Sequence, residues 1–479
     1  MAKNIPFPIN TPPYQNVDPI ALTNLAESLY DGYIVKIGDQ LVTIKRPGFT
    51  EQLALGNLKG LQGLYWWQAK AMVIAVADGD VFKVTDSTGS VSSITGDKLE
   101  TTGRPTFADN GSTLVIANGG KMVTTNGTSN TAFISDADAP TTVSHVAFLD
   151  NYLVVNKVGS GQFYFCDFSG TPTTWLAADV FTAESNPDDI VSLYVNKGVI
   201  ILEGEHNTEF WVNDWVSPFS RLSGATIAHG AMAEHSTVFV NEVAYFFDAR
   251  RRLIKLEGSS PTPIDTSFDE TIQGFSTVTD CVGDYVTFNG HNWLLFTFPT
   301  EDRTLFYDLD FGYWGEWSFW DSGINARKRF LGGSYCYARS WNQHLFGSFQ
   351  VDKVLLMSDT TFNDDGADIR FMKRTGYIDH GLPGETKRVS WIRFRYKTGV
   401  GIGVGGNTEP KMTLKWRDEG VSKWGNSRLM NLKASGNRNF NHTEPLLGSY
   451  IARQYQLECS EDVPLVLGPA VARIDTNGI

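Results

Sequence analysis

Six basic residues lie in two groups on either side of a glycine-rich run in the C-terminal quarter of the chain. The groups are Arg393, Arg395 and Lys397, followed by Lys411, Lys415 and Arg417. Side chains alternate between the two faces of a β-strand, so each group is predicted to share one face of its strand. Cations gathered on one sheet face suit either an acidic partner or a solvated outer surface.

The residues between these cations are apolar and are predicted to face a core: Ile392, Phe394, Tyr396, Met412, Leu414 and Trp416. If the two strands form a hairpin, both apolar sets face inward and the two basic sets lie side by side. Residues 370–439 carry 15 Lys/Arg against 5 Asp/Glu, which sets this segment apart from an acidic chain. We therefore predict an electrostatic contact face there, with a solvated surface as the alternative.

The glycine-rich run itself matches G-x-G-x-x-G at Gly401, Gly403 and Gly406. A dinucleotide site needs a helix directly after this motif, because the helix N-terminus holds the pyrophosphate. Here residues 407–410 read Asn-Thr-Glu-Pro and another strand follows. We predict a flexible loop and no cofactor.

Other residues that could do chemistry are scattered. His229 and His235 are six apart, and no G-x-S-x-G nucleophile motif occurs. The carboxylates near Asp364 lack the calcium-loop pattern, and the arginines 250–252 are predicted to form a solvated turn. We predict no catalytic residue, no metal site and no enzymatic activity.

Charge and cysteine content exclude further classes. The chain has 40 Lys/Arg and 53 Asp/Glu, a net charge of −13, which argues against a protein that grips DNA phosphates. The four cysteines lie far apart and are expected to be reduced core thiols. No secretory signal or apolar run long enough for a membrane helix is seen, so we expect folding in a cytoplasm and no membrane span.

A repeated unit of strand, turn and strand begins after about residue 60. Its turns centre on Gly79, Gly119, Ser160, Glu205, Ala249, Thr300 and Val351, which are 40 to 51 residues apart. This period is typical of β-propeller blades, whose stacking buries faces that one blade cannot bury alone. The sequence predicts an all-β protein with a propeller of six or seven blades, and one helix start at Asp18-Pro19.

Three domains are predicted. Residues 1–59 form an N-terminal extended or hairpin arm, residues 60–360 the β-propeller, and residues 369–479 a C-terminal antiparallel β-sandwich-like domain. The last boundary follows from the loss of the repeat beyond residue 370, where strands such as VSWIRFRYK and KMTLKWR appear.

Several short segments resemble one family of phage proteins. The segment 183–190, Ala-Glu-Ser-Asn-Pro-Asp-Asp-Ile, with the strands after it, resembles the central part of the packaged-DNA stabilization protein, the tail hub or nozzle of short-tailed bacteriophages. Arg46-Pro47-Gly48, Pro464 and Gly468-Pro469-Ala470 agree with the resemblance. The two basic groups match no feature of the family and take no role from it.

The resemblance implies a homo-hexameric tube below the portal and its adaptor ring. Such a tube would close the DNA channel, retain packaged DNA until ejection, and carry tail spikes or fibres, with a tail needle as a further partner. Double-stranded DNA would pass without sequence-specific binding, which suits an acidic surface. The protein would be assembled in the host cytoplasm and end in the virion tail. Independently of the resemblance, the charge of the chain makes a neighbouring copy the expected partner of the basic face, with the adaptor ring as the other candidate.

A second function stays open on the residues alone. A β-propeller that binds or cleaves glycans, such as a phage depolymerase or a glycosidase, can assemble its paired carboxylates from different blades. It would need a pocket lined by carboxylates and exposed tryptophans.

Overall fold

We describe a computed structural model of the chain, which covers residues 3–13, 27–56, 59–128, 130–183, 188–215, 218–264, 268–401, 409–425, 427–437 and 439–475. The predicted helix start at Asp18-Pro19 lies outside these residues. The one α-helix within them, α1 (Asp269–Gln273), has five residues, and a single 3₁₀ turn spans Gln68–Lys70. No helix in the described ranges has the length and apolar character to cross a membrane.

Strands make up most of the remaining structure. Those up to residue 221 are β1 (Lys3–Phe7), β2 (Ser28–Tyr30), β3 (Gly32–Ile37), β4 (Gln40–Lys45), β5 (Gly48–Ala54), β6 (Leu61–Trp67), β7 (Met72–Ala77), β8 (Asp80–Val84), β9 (Val91–Ile94), β10 (Thr106–Asp109), β11 (Leu114–Ala117), β12 (Val123–Thr125), β13 (Ala132–Phe133), β14 (Val146–Leu149), β15 (Tyr152–Asn156), β16 (Gln162–Asp167), β17 (Val180–Thr182), β18 (Ile190–Asn196), β19 (Val199–Gly204), β20 (Thr208–Val212) and β21 (Ser220–Arg221).

The later strands are β22 (Val238–Val240), β23 (Val243–Phe247), β24 (Leu253–Glu257), β25 (Ser260–Ile264), β26 (Val282–Phe288), β27 (His291–Phe298), β28 (Arg303–Asp308), β29 (Tyr313–Asp321), β30 (Ala326–Arg329), β31 (Gly332–Ala338), β32 (Gln343–Ser348), β33 (Lys353–Ser358), β34 (Asn363–Asp364), β35 (Ala367–Asp368), β36 (Phe371–Arg374), β37 (Lys387–Arg395), β38 (Lys411–Asp418), β39 (Arg428–Asn431), β40 (Asn441–Tyr450), β41 (Arg453–Cys459), β42 (Val466–Leu467) and β43 (Ala470–Asp475).

The chain divides into two compact units, each built from separate stretches of sequence. The propeller unit comprises Glu51–Asp302 and Leu331–Met357. The sandwich unit comprises Met1–Thr50, Arg303–Phe330 and Ser358–Ile479. The three domain ranges expected from the sequence stay predictions.

The propeller unit is a series of antiparallel meanders. Five four-stranded sheets follow one another, β6–β9, β10–β13, β14–β17, β18–β21 and β22–β25, and then come the hairpin β26–β27 and the meander β31–β33. Six of the seven predicted turns fall between the second and third strands of a meander, and the turn at Thr300 directly follows β27. The predicted β-propeller is confirmed, with seven sheets in the described residues.

Buried apolar side chains fill the spaces between successive sheets. Trp67 and Ile74 of the first sheet and Leu114 and Ile116 of the second share one such cluster, and similar clusters join the second to the third, the third to the fourth and the fourth to the fifth. This stacking is why the repeat is stable although no sheet could bury both faces alone.

The ring of sheets closes where the last meander packs on the first. Leu345 and Val354 of the seventh sheet share a buried cluster with Leu64 and Val73 of the first. Residues 51–54 of β5 run beside β33, so a segment that precedes the first sheet in sequence supplies the outer strand of the last. A charged pair between Lys353 Nζ and Glu51 Oε2, 2.6 Å apart, lies at this edge.

The sandwich unit is built from both ends of the chain. One sheet has the order β1-β43-β37-β40, so the first and last strands are neighbours, and another includes β36-β41-β38-β39. Phe7 of the first sheet packs edge-on against Tyr455 of the second, with ring centroids 4.9 Å apart. The predicted C-terminal antiparallel sandwich is confirmed, and the N-terminal strand belongs to it.

A fully buried arginine joins three distant segments of the sandwich unit. Arg46 donates through Nη1 and Nη2 to the two carboxylate oxygens of Asp364, at 2.8 and 2.5 Å, and through Nε to Asp31 Oδ1 at 3.0 Å. Nη2 also donates to the carbonyl of Ser318 at 2.7 Å. Burial lowers the pKa of Arg46, but the charges of Asp364 and Asp31 outweigh it and hold the pKa above its ordinary value, so the guanidinium stays charged.

The neighbouring Gly48 is fixed by close packing. A Cβ at this position would lie 2.1 Å from the carbonyl oxygen of Asn363, nearer than any side chain tolerates. The motif Arg46-Pro47-Gly48 therefore carries an ion-pair centre and the one residue type that lets β5 approach β34.

Replacing Arg46 by Met tests this centre. The substitution removes the cation and leaves the Asp364 carboxylate buried without it, so we expect unfolding free energy to fall by about 3–5 kcal/mol in urea denaturation. Asp364→Asn in the Arg46→Met background should recover part of the loss, because it removes the unpaired charge. The exposed Arg388→Met is the matched control and should change stability little; equal effects of the two arginine substitutions would refute the role of Arg46.

Candidate functional site

The first predicted basic group lies on an exposed sheet face. Arg393, Arg395 and Lys397 are exposed, whereas the alternating residues Ile392, Phe394 and Tyr396 are buried, as the strand pattern predicted. Strand β37 is positioned by β43 on one side and β40 on the other.

The neighbouring strand adds a cation to this face that the sequence analysis missed. In the register of β37 with β43, Trp391 lies opposite Arg473, and Arg393 lies opposite Val471. Opposed residues share a face, so the exposed Arg473 belongs with Arg393 and Arg395. The sequence did contain a signal for Arg473. In the strand Ala470–Asp475 apolar residues alternate, with Ala472 and Ile474 buried, and this alternation places Arg473 on the outer face.

The predicted hairpin between the two basic groups is wrong. Strand β38, which carries Lys411, Lys415 and Arg417, pairs with β39 and β41 in the other sheet, not with β37. Residues 402–408 of the glycine-rich run lie outside the described residues. Because both sheets turn their apolar faces inward, the two basic groups lie on opposite outer faces of the sandwich.

The second basic group is largely paired within its own sheet. Lys415 Nζ lies 2.7 Å from Glu458 Oε2. Arg417 donates through Nε to Gln454 at 2.8 Å, and its guanidinium lies 4.8 Å from the ring centre of Trp424. Lys411 is exposed at the start of the strand. The charge of Lys415 is thus neutralised within the sheet, and Arg417 is held by a hydrogen bond and a ring contact.

A shallow groove borders the first basic group. It has a volume of about 350 Å³ and is lined by Ile37, Gln40, Val42, Arg395, Tyr396, Lys397, Phe440, Val466, Gly468 and Pro469. Ile37 and Phe440 are 60% and 44% exposed. Gly468 donates its backbone N–H to the carbonyl of Arg395 at 2.8 Å, so the Gly-Pro-Ala segment of the family resemblance shapes this groove.

A second group of charged residues lies among the inner strands of the propeller unit. Arg104, just before β10, donates through Nη2 to Asp284 Oδ1 of β26 at 2.6 Å. It also donates to the carbonyl of Gly333 in β31 at 3.2 Å. One arginine thus connects the second, sixth and seventh sheets across the middle of the ring.

Buried titratable groups surround this ion pair. The rings of His145 and His235 stack 5.0 Å apart, and burial lowers both pKa values, that of His145 to about 3. Glu203 Oε2 accepts hydrogen bonds from Ser192 and Thr237, both at 2.5 Å, which lower its pKa, but the larger effect of burial raises that pKa to about 7. The two histidines are therefore neutral at neutral pH, and these contacts join the third and fourth sheets to the fifth.

The segment that resembles the phage family has a local structural role. Residues 184–187 lie outside the described residues, but Asp188 Oδ2 accepts the backbone N–H of His206 at 2.8 Å. Ile190 and Ala183 donate their N–H groups to Ser160 and Gly161. The segment therefore ties the turn of the third sheet to that of the fourth.

The other residues that the sequence singled out for possible chemistry make contacts that stabilise the fold. Arg251 donates to the last carbonyls of α1 and to Phe275, and Asp364 is bound by Arg46. The four cysteines are buried and unpaired with one another. In the part of the chain that the structure describes, no three His, Cys, Asp or Glu residues are arranged to hold a metal ion.

Glu203→Gln is expected to change how stability depends on pH. The pKa of Glu203 is about 7 in the folded protein and near 4.5 when unfolded, so its contribution is complete below pH 4.5 and is lost as pH rises through 7. A glutamine side chain does not titrate, so the stability of the variant relative to the natural protein should rise between pH 5 and 8, by at most about 3 kcal/mol. Urea unfolding at each pH measures this, with the exposed Glu242→Gln as control; a pH-independent difference would refute the assignment.

The chain was compared with solved structures, curated proteins and family models. Among solved structures, the designed protein Ika8 matches with a TM-score of 0.39 and 13% identity over 69% of this chain and 96% of its own. YCF48 from Cyanidioschyzon merolae gives 0.42 and 13% over 65% and 98%, and the extracellular domain of BT4673 from B. thetaiotaomicron gives 0.43 and 11% over 91% and 62%. At these TM-scores we infer nothing about function from the matched structures.

A search of curated proteins found no match. A family model does match, over residues 41–362, which is more than half of the chain. Its description is Bacteriophage P22 Gp10, β-propeller, and it spans the closing strand, all seven sheets and the segment around Asp188. The chain therefore belongs to the phage stabilisation family of the P22 Gp10 β-propeller.

Proposed function

We propose that this chain is the nozzle, or hub, protein of a short-tailed phage. Six copies would form a tube below the portal and its adaptor ring, and the tube would close the DNA channel, retain packaged DNA and carry tail spikes or fibres. Family membership, which makes the chain a structural protein of a phage, is the observation that carries the proposal. Assembly in the host cytoplasm, location in the virion tail and contact with a tail needle belong to the same proposal.

The distribution of charge supports passage of DNA without tight binding. The propeller unit contains 15 Lys/Arg and 31 Asp/Glu, a net charge of −16, whereas the sandwich unit contains 25 and 22, a net charge of +3. Affinity for duplex DNA grows with the number of phosphates that cations neutralise. An acidic propeller would therefore not hold DNA at many phosphates, and the duplex could move past it.

The proposal includes the absence of hydrolase activity. A cleft of about 390 Å³ lies between the fourth and fifth sheets, and its lining includes the apolar residues Ile201, Phe210 and Phe239. Its carboxylates, Glu242 and Glu257, lie against Lys197 and Lys255. This lining gives no specific support to the alternative of a propeller that binds or cleaves glycans.

Phage particles made without this chain test the function. They should package DNA but fail to retain it, so that the DNA becomes sensitive to added nuclease, and supplying the chain should restore protection. The Arg388→Gln variant, altered at an exposed site, controls for handling. Full nuclease protection of particles that lack the chain would overturn the proposal.

Purified protein incubated with host surface polysaccharide should release no reducing ends. A glycosidase with a β-propeller fold serves as the positive control. Turnover that a single Asp or Glu substitution abolishes would show instead that the glycan alternative is correct.

A further inference from the structure

The outer face of β37 and β43 carries four exposed basic side chains that no carboxylate neutralises among the described residues. Arg393, Arg395, Lys397 and Arg473 are all exposed, and none forms an ion pair with a carboxylate among the described residues. Arg393 has only weak neutral neighbours, Thr443 Oγ1 at 3.4 Å and the Trp391 ring at 5.0 Å.

This arrangement differs from that of the opposite outer face. There Lys415 meets Glu458 and Arg417 meets Gln454, so the cations are neutralised or hydrogen-bonded within the sheet. Neighbouring like charges destabilise a sheet unless an anion offsets them. The first face therefore lacks the anionic partner that the second face has internally.

The groove beside this face specifies the partner further. Arg395 and Lys397 contribute charge to its lining, while the exposed Ile37 and Phe440 contribute apolar surface. Such a groove fits an apolar side chain that has carboxylates close by. A large aromatic residue buried at the centre of an interface commonly contributes most of the binding energy.

The chain itself carries such an element on its acidic propeller unit. Trp215 is 78% exposed, the highest value for any large apolar side chain in the described ranges. Its backbone N–H donates to Asn213 Oδ1 at 3.0 Å, and Asn213 donates to Asp150 Oδ2 at 3.2 Å. Asp214 precedes Trp215 in the chain, and Asp150 is connected to the same segment through its hydrogen bond from Asn213.

We propose that the face formed by Arg393, Arg395, Lys397 and Arg473, with its adjoining groove, binds the propeller unit of a second copy of this chain, with Trp215 as the apolar anchor. The contact joins two different surfaces, so it can close into a ring. Charge complementarity favours this partner, because the propeller unit has a net charge of −16. The inference deepens the proposed function, since it rests on self-association and names the surfaces that make it.

Sedimentation velocity of the full chain over a wide concentration range tests the contact at low and moderate salt. The combined variant Arg393→Gln, Arg395→Gln, Lys397→Gln and Arg473→Gln should self-associate at least about tenfold more weakly than the natural protein. Trp215→Ser should have a similar effect. The variant Lys411→Gln, Lys415→Gln and Arg417→Gln, altered on the opposite face, is the matched control and should associate normally.

Salt and mixing sharpen the test. Raising the salt concentration should weaken association of the natural protein more than that of the fourfold variant. An equimolar mixture of the fourfold variant and Trp215→Ser should form dimers but nothing larger. Each mixed pair retains one complete contact, between the basic face of the Trp215→Ser chain and Trp215 of the fourfold variant.

Three other outcomes would each contradict the proposed contact, and each leads to a different conclusion. If the natural protein associates and the fourfold variant does so equally, the inference is wrong while the proposed function stands. If the natural protein remains monomeric under every condition, both self-association and the inference fail. If the fourfold variant associates normally but loses binding to a duplex DNA fragment, the face is a nucleic-acid contact instead.

Discussion

The buried ion-pair centre at Arg46 constrains the whole sandwich unit. A guanidinium and two carboxylates are costly to remove from water, and only close, saturated contacts offset that cost. Arg46 meets this condition by binding Asp31, Asp364 and the carbonyl of Ser318, which come from the three separate stretches of chain that make up the unit. The ion-pair centre is therefore complete only when all three stretches are in place.

Charge is divided between the two units in a way that suits assembly. The propeller unit holds the excess of carboxylates, and the sandwich unit carries an exposed row of cations that form no ion pair with a carboxylate of the described residues. An acidic surface limits adhesion to DNA, and the unneutralised cations can bind acidic protein surface. The same chain can therefore avoid holding DNA and still supply an electrostatic contact to its own copies.

The sequence predicted local features well and non-local ones poorly. The seven turns were visible because each joins adjacent strands, and the alternation around Arg393 followed directly from strand geometry. The placement of β37 and β38 in one hairpin failed because each strand pairs with partners far along the chain, β43 and β41 among them. For the same reason the pairing of Arg104 with Asp284, 180 residues apart, left no signal in the sequence.

Electron cryo-microscopy of the tail in intact phage particles would place every copy of the chain. We expect six copies around the DNA channel below the adaptor ring, each with the face of Arg393 and Arg473 against the propeller unit of its neighbour. A reconstruction in which this chain lies away from the channel, or occurs as isolated single copies, would contradict this expectation.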